Sequence, residues 1–293
     1  MIESKASKYV FKAICHLLFI ILSVACIAPI ILLISISLSD NGMIVQNGYS
    51  FLPQGFNWGA YEYIMQDSWK VVNAYKITLI VTVAGTALGL LCTILIAYPI
   101  SRRDYRFRRG ISFAVFFTML FNGGLVPTYI FITRSLHLTD SLWALILPGL
   151  VTPWYVILMK SFFADIPTEI TEAATIDGAN EFTILFRVVL PLAKPALATV
   201  GLFIILQYFN DWQSSMLYIN DSDKISLQYF LYKTLNNIEE ARNNRMYFEV
   251  DLVFPEEPVR MAMAVLVIAP IMIVFPFLQK YFVKGITLGS VKG

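Results

Sequence analysis

A chain of 293 residues in which 57% are hydrophobic and 14% charged lies far from the composition of soluble domains, where about 25% of residues are charged. Its formal net charge of +2 comes from 22 Lys and Arg against 20 Asp and Glu, a balance that marks no nucleic-acid surface. Composition therefore excludes an ordinary soluble domain and predicts an all-α integral membrane protein.

A bilayer core about 30 Å thick asks for roughly 20 apolar residues per helix. Six stretches without Asp, Glu, Lys or Arg supply them: Leu17–Ser39, Ile77–Ser101, Ile111–Thr133, Ser141–Met159, Pro195–Asn210 and Met261–Gln279. The fifth is short and is expected to continue through Asp211 and Trp212 to Met216, which places one acid inside or at the rim of a span. The first follows Lys5, Lys8, Lys12 and His16, so a cleaved signal peptide is its rival reading. A signal core stops after 7 to 15 residues, whereas this run passes Cys26 and continues through Pro29 and Ile34. Cys15, Cys26 and Cys92 lie in or beside spans without ligand spacing, which points to neither disulfides nor a metal.

Between the first two spans comes a segment rich in Gly, Asn and aromatics, "NGYSFLPQGFNWGAYEYI". Residues 1–70 then form one transmembrane helix plus an external segment, 71–283 a five-helix core, and 284–293 a tail. Span 2 carries Gly85 and Gly89, a small-xxx-small pattern that lets helix backbones approach closely, either within the chain or in a dimer. After it comes "SRRDYRFRRG", with Arg102, Arg103, Arg106, Arg108 and Arg109. Positive charge in short loops sets orientation, so this loop and the Lys-bearing termini are expected in the cytoplasm. The 40–72 and 217–260 loops then lie outside. The second of these is too long for a hairpin and is expected to have a task of its own.

Spans 4 and 5 are joined by the most polar run within the core, "EAATIDGANEFTILFRVVLP" over 172–191. Pro167, Glu169 and Glu172 suit the first turn of a helix, Gly178 suits its end, and Asn180 suits the cap of a second helix running to Pro191. Phe182, Leu185, Phe186 and Val189 are expected on one face. On these grounds alone an amphipathic helix pair lying in the lipid interface is a full account.

Glu172-Ala173-Ala174, three residues, Gly178, nine residues and then Val188-Val189-Leu190-Pro191 resembles the EAA loop of ABC importer permeases, with Val188 where that family usually shows Ile. The flanking "IPTEITEAATIDGANEF" looks like the carbohydrate-uptake branch. "NGGLVPTYI", "FNDW", "YIND" and the terminal "KGITLGSVKG" resemble its oligosaccharide and polysaccharide permeases of the maltose-transporter type, over about residues 70 to 293. The resemblance implies the type I importer permease fold with six transmembrane helices, in a bacterial cell membrane with both termini cytoplasmic. It makes 165–191 a coupling loop. Glu172 would face an ATPase, Ala173 and Ala174 allow close approach, Gly178 make the turn, and Leu190 and Pro191 join span 5. The implied partners are an ABC ATPase dimer, a second homologous permease forming a heterodimer, and an extracytoplasmic solute-binding protein. The chain has no G-x-x-x-x-G-K-[ST] phosphate loop, so ATP and Mg would be bound by the partners, with no cofactor, metal or catalytic residue in this chain.

A sugar needs aromatic platforms and uncharged hydrogen-bonding groups in a wet cavity. Gln207, Asn210 and Asp211 at i, i+3 and i+4 predict one polar face, which at membrane depth should line the interior. Asn122 and Tyr129, seven residues apart, predict another, with Trp154 and Tyr155 in span 4. Tyr155, Tyr208 and Trp212 equally suit an interfacial belt. Neutral saccharides and acidic ones such as alginate or pectin fragments both fit. A secondary transporter needs intramembrane acids or broken helices in related halves, and only Asp211 approaches that. His16 and His137, the only histidines, sit apart, which gives no His-centred enzyme site.

Overall fold

The computed structural model of the protein describes residues 5–248 and 255–290, all helix and connection without a strand. Residues 249–254 of the 217–260 loop and 291–293 of the tail lie outside the described residues. The spans are α1 (Lys5–Ser37), α4 (Ser68–Ser101), the pairs α5 (Arg108–Leu120) with α6 (Leu125–Ile130), α7 (Leu142–Ile146) with α8 (Pro153–Ala164) and a segment 181–192 with α12 (Lys194–Phe209), and finally α15 (Glu256–Ser290). Short α2 (Asn41–Asn47) and α3 (Gly59–Gln66) occupy the segment between the first two spans. Half of the 217–260 stretch, read as a loop, is the helix α14 (Leu227–Phe248).

The sixfold pattern of apolar stretches is present, but stretches three and four are bent rather than straight, and the fifth meets the segment before it at a bend. The bends are 110° at 121–124, 51° at 150–152 and 86° at Ala193. Each has a local cause. At the first, Asn122 Oδ1 accepts the Gly124 N–H at 2.8 Å, and Gly124 sits at φ +88°, the left-handed region open to glycine. A 3-10 turn Leu147–Gly149 containing Pro148 makes the second, and Pro153 then opens α8. Pro191 and Pro195 flank the third. Pro191 itself does not end the helix as expected. Just before it the Leu190 N–H bonds the Leu185 carbonyl five residues back, a wide π-type turn over Ile184–Val189 that tolerates a proline. The chain turns two residues later, at Ala193.

Two compact units make up the fold, one from residues 1–68 and 233–270, the other from 69–232 and 271–293. In the first, α1 leaves its side chains from Leu17 to Val24 exposed, as a helix solvated by hydrocarbon does. The Asp40 carboxylate caps α2 through Gly42 and Met43, and Arg260 lies between Glu239 and Glu257.

The second unit is centred on α4, α8 and α12, whose buried members include Ala97, Val156, Met159, Val200 and Ile204. Here Gly85 and Gly89 admit a neighbour of the same chain. A β-carbon on Gly85 would stand 2.6 Å from the Tyr208 ring, and one on Gly149 would stand 3.3 Å from the ring's other edge. Tyr208 thus lies between two glycines, and its hydroxyl donates to the Ile146 carbonyl at 2.8 Å, where α7 gives way to the 3-10 turn.

At one end of this unit Asp140 clips two connections together. It adopts φ +58°, its own N–H donates to the Tyr218 carbonyl at 2.9 Å, and its carboxylate accepts the N–H groups of Asn220 and Asp221 at 2.6 and 2.8 Å. The two backbone donors hold the Asp140 carboxyl below its ordinary range. A depressed carboxylate stabilises the fold above the unfolded value, near 3.9, and that contribution disappears as pH falls through the lower folded value. Asp140→Asn is therefore expected to lower thermal stability at pH 7, with the gap from wild type closing below about pH 4; thermal melts across that range read it directly.

Candidate functional site

The run between spans 4 and 5 forms a two-legged cassette. α8 is the incoming leg. After Asp165 to Pro167 comes the crossing helix α9 (Thr168–Ile176), and its end is closed by Gly178 at φ +81°. The Ala179 N–H reaches back to the Ala174 carbonyl and the Gly178 N–H to that of Thr175, both at 3.0 Å, which is the paired closure that an αL glycine permits. Nothing lies within 4 Å of a β-carbon at Gly178, so the demand for glycine is conformational, not steric. Asn180 Oδ1 then caps the outgoing leg by accepting the Thr183 N–H at 2.8 Å.

α9 buries no residue completely. Ala174, with Ile166 and Ala179, rests against the core, whereas Glu169, Glu172, Ala173 and Ile176 are exposed. Their i, i+3, i+4, i+7 spacing makes them one stripe. Ile176 is 85% exposed, an apolar side chain held out between acids. The outgoing leg divides differently from expectation. Ile184, Leu185 and Val189 are buried beside Ile94, Ala97 and Tyr98 of α4 and Phe163 of α8, while Phe182 and Phe186 are exposed. The expected single face over 182–189 is thus split, because the π-type turn inserts an extra residue and rotates the residues beyond it.

Beneath the cassette lies a cavity of about 360 Å³ lined by Tyr98, Arg102, Arg106, Glu181, Phe182 and Leu185 among others. Glu181 accepts from the Tyr98 hydroxyl at 2.8 Å and from Arg102 at 3.3 Å. Arg102 in turn grips Asp104 with two bonds of 3.0 and 2.7 Å. The Asp104 hydrogen bond raises the Arg102 guanidinium further, and Arg102 holds the Asp104 carboxyl below its usual range.

The residues expected to line a passage are distributed more widely than one helix face. α12 ends at Phe209, so Asn210 and Asp211 lie in a turn and the fifth span does not run on to Met216. Asp211 Oδ1 accepts the Ser214 N–H at 3.0 Å and starts the separate helix α13 (Gln213–Tyr218). Gln207 is tied to the α7–α8 bend, donating to the Gly149 carbonyl and accepting from Thr152, both at 3.2 Å. Asn122 and Tyr129 do not share a face, since the 110° bend separates them; Asn122 holds that bend, and Tyr129 stacks on Tyr218 at 6.0 Å. Trp154 is exposed in the first turn of α8. Tyr155 stacks on Phe203 at 6.2 Å.

One cluster went unread in the sequence. Trp212 stacks on Tyr232 at 4.5 Å with 25° between the planes, Tyr229 stands 6.4 Å from Tyr232, and Gln228 donates to Asn210 Oδ1 at 3.3 Å. Trp212 and Tyr232 remain more than a third exposed. The i, i+1, i+4 spacing of Gln228, Tyr229 and Tyr232 was the available signal, once 227 onward is taken as helix.

Comparison with known proteins agrees with this arrangement. The chain is 36% identical to the polygalacturonan/rhamnogalacturonan transport system permease protein YtcP of Bacillus subtilis (strain 168), over 97% of this chain and 98% of that protein. It is likewise 36% identical to Protein LplC of the same organism, over 96% and 94%. Among solved structures, a bacterial ABC transporter involved in the import of the acidic polysaccharide alginate superposes with a TM-score of 0.81 at 32% identity, covering 96% of this chain and 99% of that one. The match to the family described as binding-protein-dependent transport system inner membrane component runs over residues 5–288. Bent spans, a glycine-closed crossing helix and near full-length similarity converge on one assignment: the chain belongs to the family of inner membrane components of binding-protein-dependent transport systems.

Proposed function

We propose that this chain is one of two permease subunits in an ATP-driven importer that moves an oligosaccharide across a bacterial membrane by alternating access. The observation that carries the proposal is the exposed stripe Glu169, Glu172, Ala173, Ile176 on a cassette whose legs are rooted in the membrane core. A helix that rests on lipid presents Lys and Arg beside its apolar face. This stripe presents acids beside a single large apolar side chain, which suits a groove on a protein better than an anionic membrane surface. The groove belongs to a cytoplasmic ATPase subunit, which supplies the phosphate-binding chemistry this sequence lacks. In this reading Glu172 and Ile176 contact the ATPase, Gly178 fixes the turn, and Leu190 with Pro191 carries movement into α12. The Arg-bearing loop 102–109 and both termini are cytoplasmic, and 71–283 is the transporting core.

For the passage, the platform of Trp212 and Tyr232, with Asn210 and Gln228 beside it, offers the ring faces and amides that a saccharide requires. Tyr129 and Trp154 keep exposed ring surface and belong to the same path. The side chains of Gln207, Asp211 and Asn122 are engaged within the chain and position the bends around it. Uronic oligosaccharides are the first class to test, because YtcP is a polygalacturonan/rhamnogalacturonan permease and the alginate importer carries an acidic polysaccharide. A solute-binding protein delivers them.

The test is purification of the chain from its own membrane and then uptake into proteoliposomes, using a panel of neutral and uronic oligosaccharides with the cognate binding protein. Recovery with an ATPase and a second permease, and vanadate-sensitive uptake, support the proposal. Uptake by this chain alone would sink it.

A further inference from the structure

Beyond the apolar packing of its outgoing leg, the cassette meets α4 at Tyr98, which contacts both legs. The Tyr98 ring meets the incoming leg edge-on at Phe163, with centroids 6.2 Å apart, and its hydroxyl holds the outgoing leg at Glu181, 2.8 Å away. Tyr98 is itself buried, 8% exposed. Four residues on, Arg102 offers one nitrogen to both Glu181 and the Tyr98 hydroxyl, each at 3.3 Å. Asp104 engages the rest of the guanidinium through a two-bond fork, so the direction of Arg102 is set before Glu181 arrives.

Stability alone is a poor account of this cluster. The Arg102 and Glu181 side chains are 19% and 61% exposed, and exposed ion pairs contribute little to folding. What the geometry does provide is a tie between both legs and the end of a 34-residue helix. A cavity lined by Leu95 and Pro99 of that helix and by Phe182 and Leu185 of the outgoing leg lies beside the tie. We propose that Tyr98, Arg102 and Glu181 are positioning residues that pass displacement of the cassette into α4. This rests on the importer function proposed above and deepens it, since α4 becomes a driven element alongside α8 and α12.

The test uses the whole complex in proteoliposomes, with ATP hydrolysis and uptake from the oligosaccharide panel measured on the same preparation. Glu181→Ala is expected to keep hydrolysing ATP while uptake per ATP falls about tenfold. Tyr98→Phe should fall less, and the double variant no further than Glu181→Ala alone, because residues acting through one contact are not additive. Glu181→Gln keeps the shape and the acceptor for Tyr98 but drops the charge, and it decides the question if the alanine variant does not assemble. An assembled Glu181 variant with the wild-type ratio of uptake to hydrolysis overturns the role, as does additivity in the double variant. A wild-type complex with no ATP-driven uptake overturns the importer function instead, so the two failures are told apart.

Discussion

Ile176→Asp is expected to lower the affinity of the permease for its ATPase subunit by about thirtyfold or more and to remove most ATP-driven uptake. An Ile side chain passing from water to a groove gains about 1.5–3 kcal/mol, and each 1.4 kcal/mol is tenfold in affinity. Putting a carboxylate there adds a desolvation cost on top of the lost contact. Ile176 starts 85% exposed, so little of its side chain packs within its own chain and the variant should insert and fold as wild type does. Glu172→Lys, which reverses charge four residues earlier on the same stripe, is expected to act in the same direction, whereas Ile176→Leu should retain most activity. Pull-down of the ATPase by the purified variant, scored against membrane abundance of the permease, separates lost docking from lost protein. Full assembly and uptake in both Ile176→Asp and Glu172→Lys would remove the stripe from the docking surface.

Much of this arrangement is legible in the order of residues alone, and the parts that are not share a physical reason. The spans announce themselves because hydrocarbon excludes charge, and the cassette does so because a run carrying Glu172, Asp177, Glu181 and Arg187 breaks that exclusion. The bends at 121–124, 150–152 and Ala193 are quieter, since Gly and Pro are tolerated inside membrane helices when neighbours satisfy the freed backbone groups. Gly178 was legible as a helix end from local chemistry alone. The division of Phe182 and Phe186 from Leu185 and Val189 was not, because a π-type turn leaves no mark in a pattern read at 3.6 residues per turn. Long-range pairs were least legible of all: Tyr98 and Glu181 stand 83 positions apart, and neither side chain alone indicates the other.

The same limit applies to Tyr208, which the sequence offers as a belt tyrosine and the fold encloses between glycines. Gly85→Val is expected to be among the most damaging single changes in the chain. A β-carbon at Gly85 would stand 2.6 Å from two ring atoms of Tyr208, and the ring, only 3% exposed, cannot retreat without displacing its neighbours in the core. Overpacking of this kind costs about 1–3 kcal/mol, and a ring that moves also surrenders its hydroxyl bond to the Ile146 carbonyl, a further loss of about 0.5–1.5 kcal/mol. The sum, about 1.5–4.5 kcal/mol, should appear as a drop of about 3 °C or more in the thermal midpoint, with uptake falling in parallel because Tyr208 ties α12 to the bend between α7 and α8. Tyr208→Phe isolates the second contribution and should cost less. Combining Gly85→Ala with Tyr208→Leu provides the decisive comparison: if the clash is the cause, the pair is less destabilised than the two single effects added together. Simple additivity would mean that Gly85 is required for its backbone and not for the ring it admits.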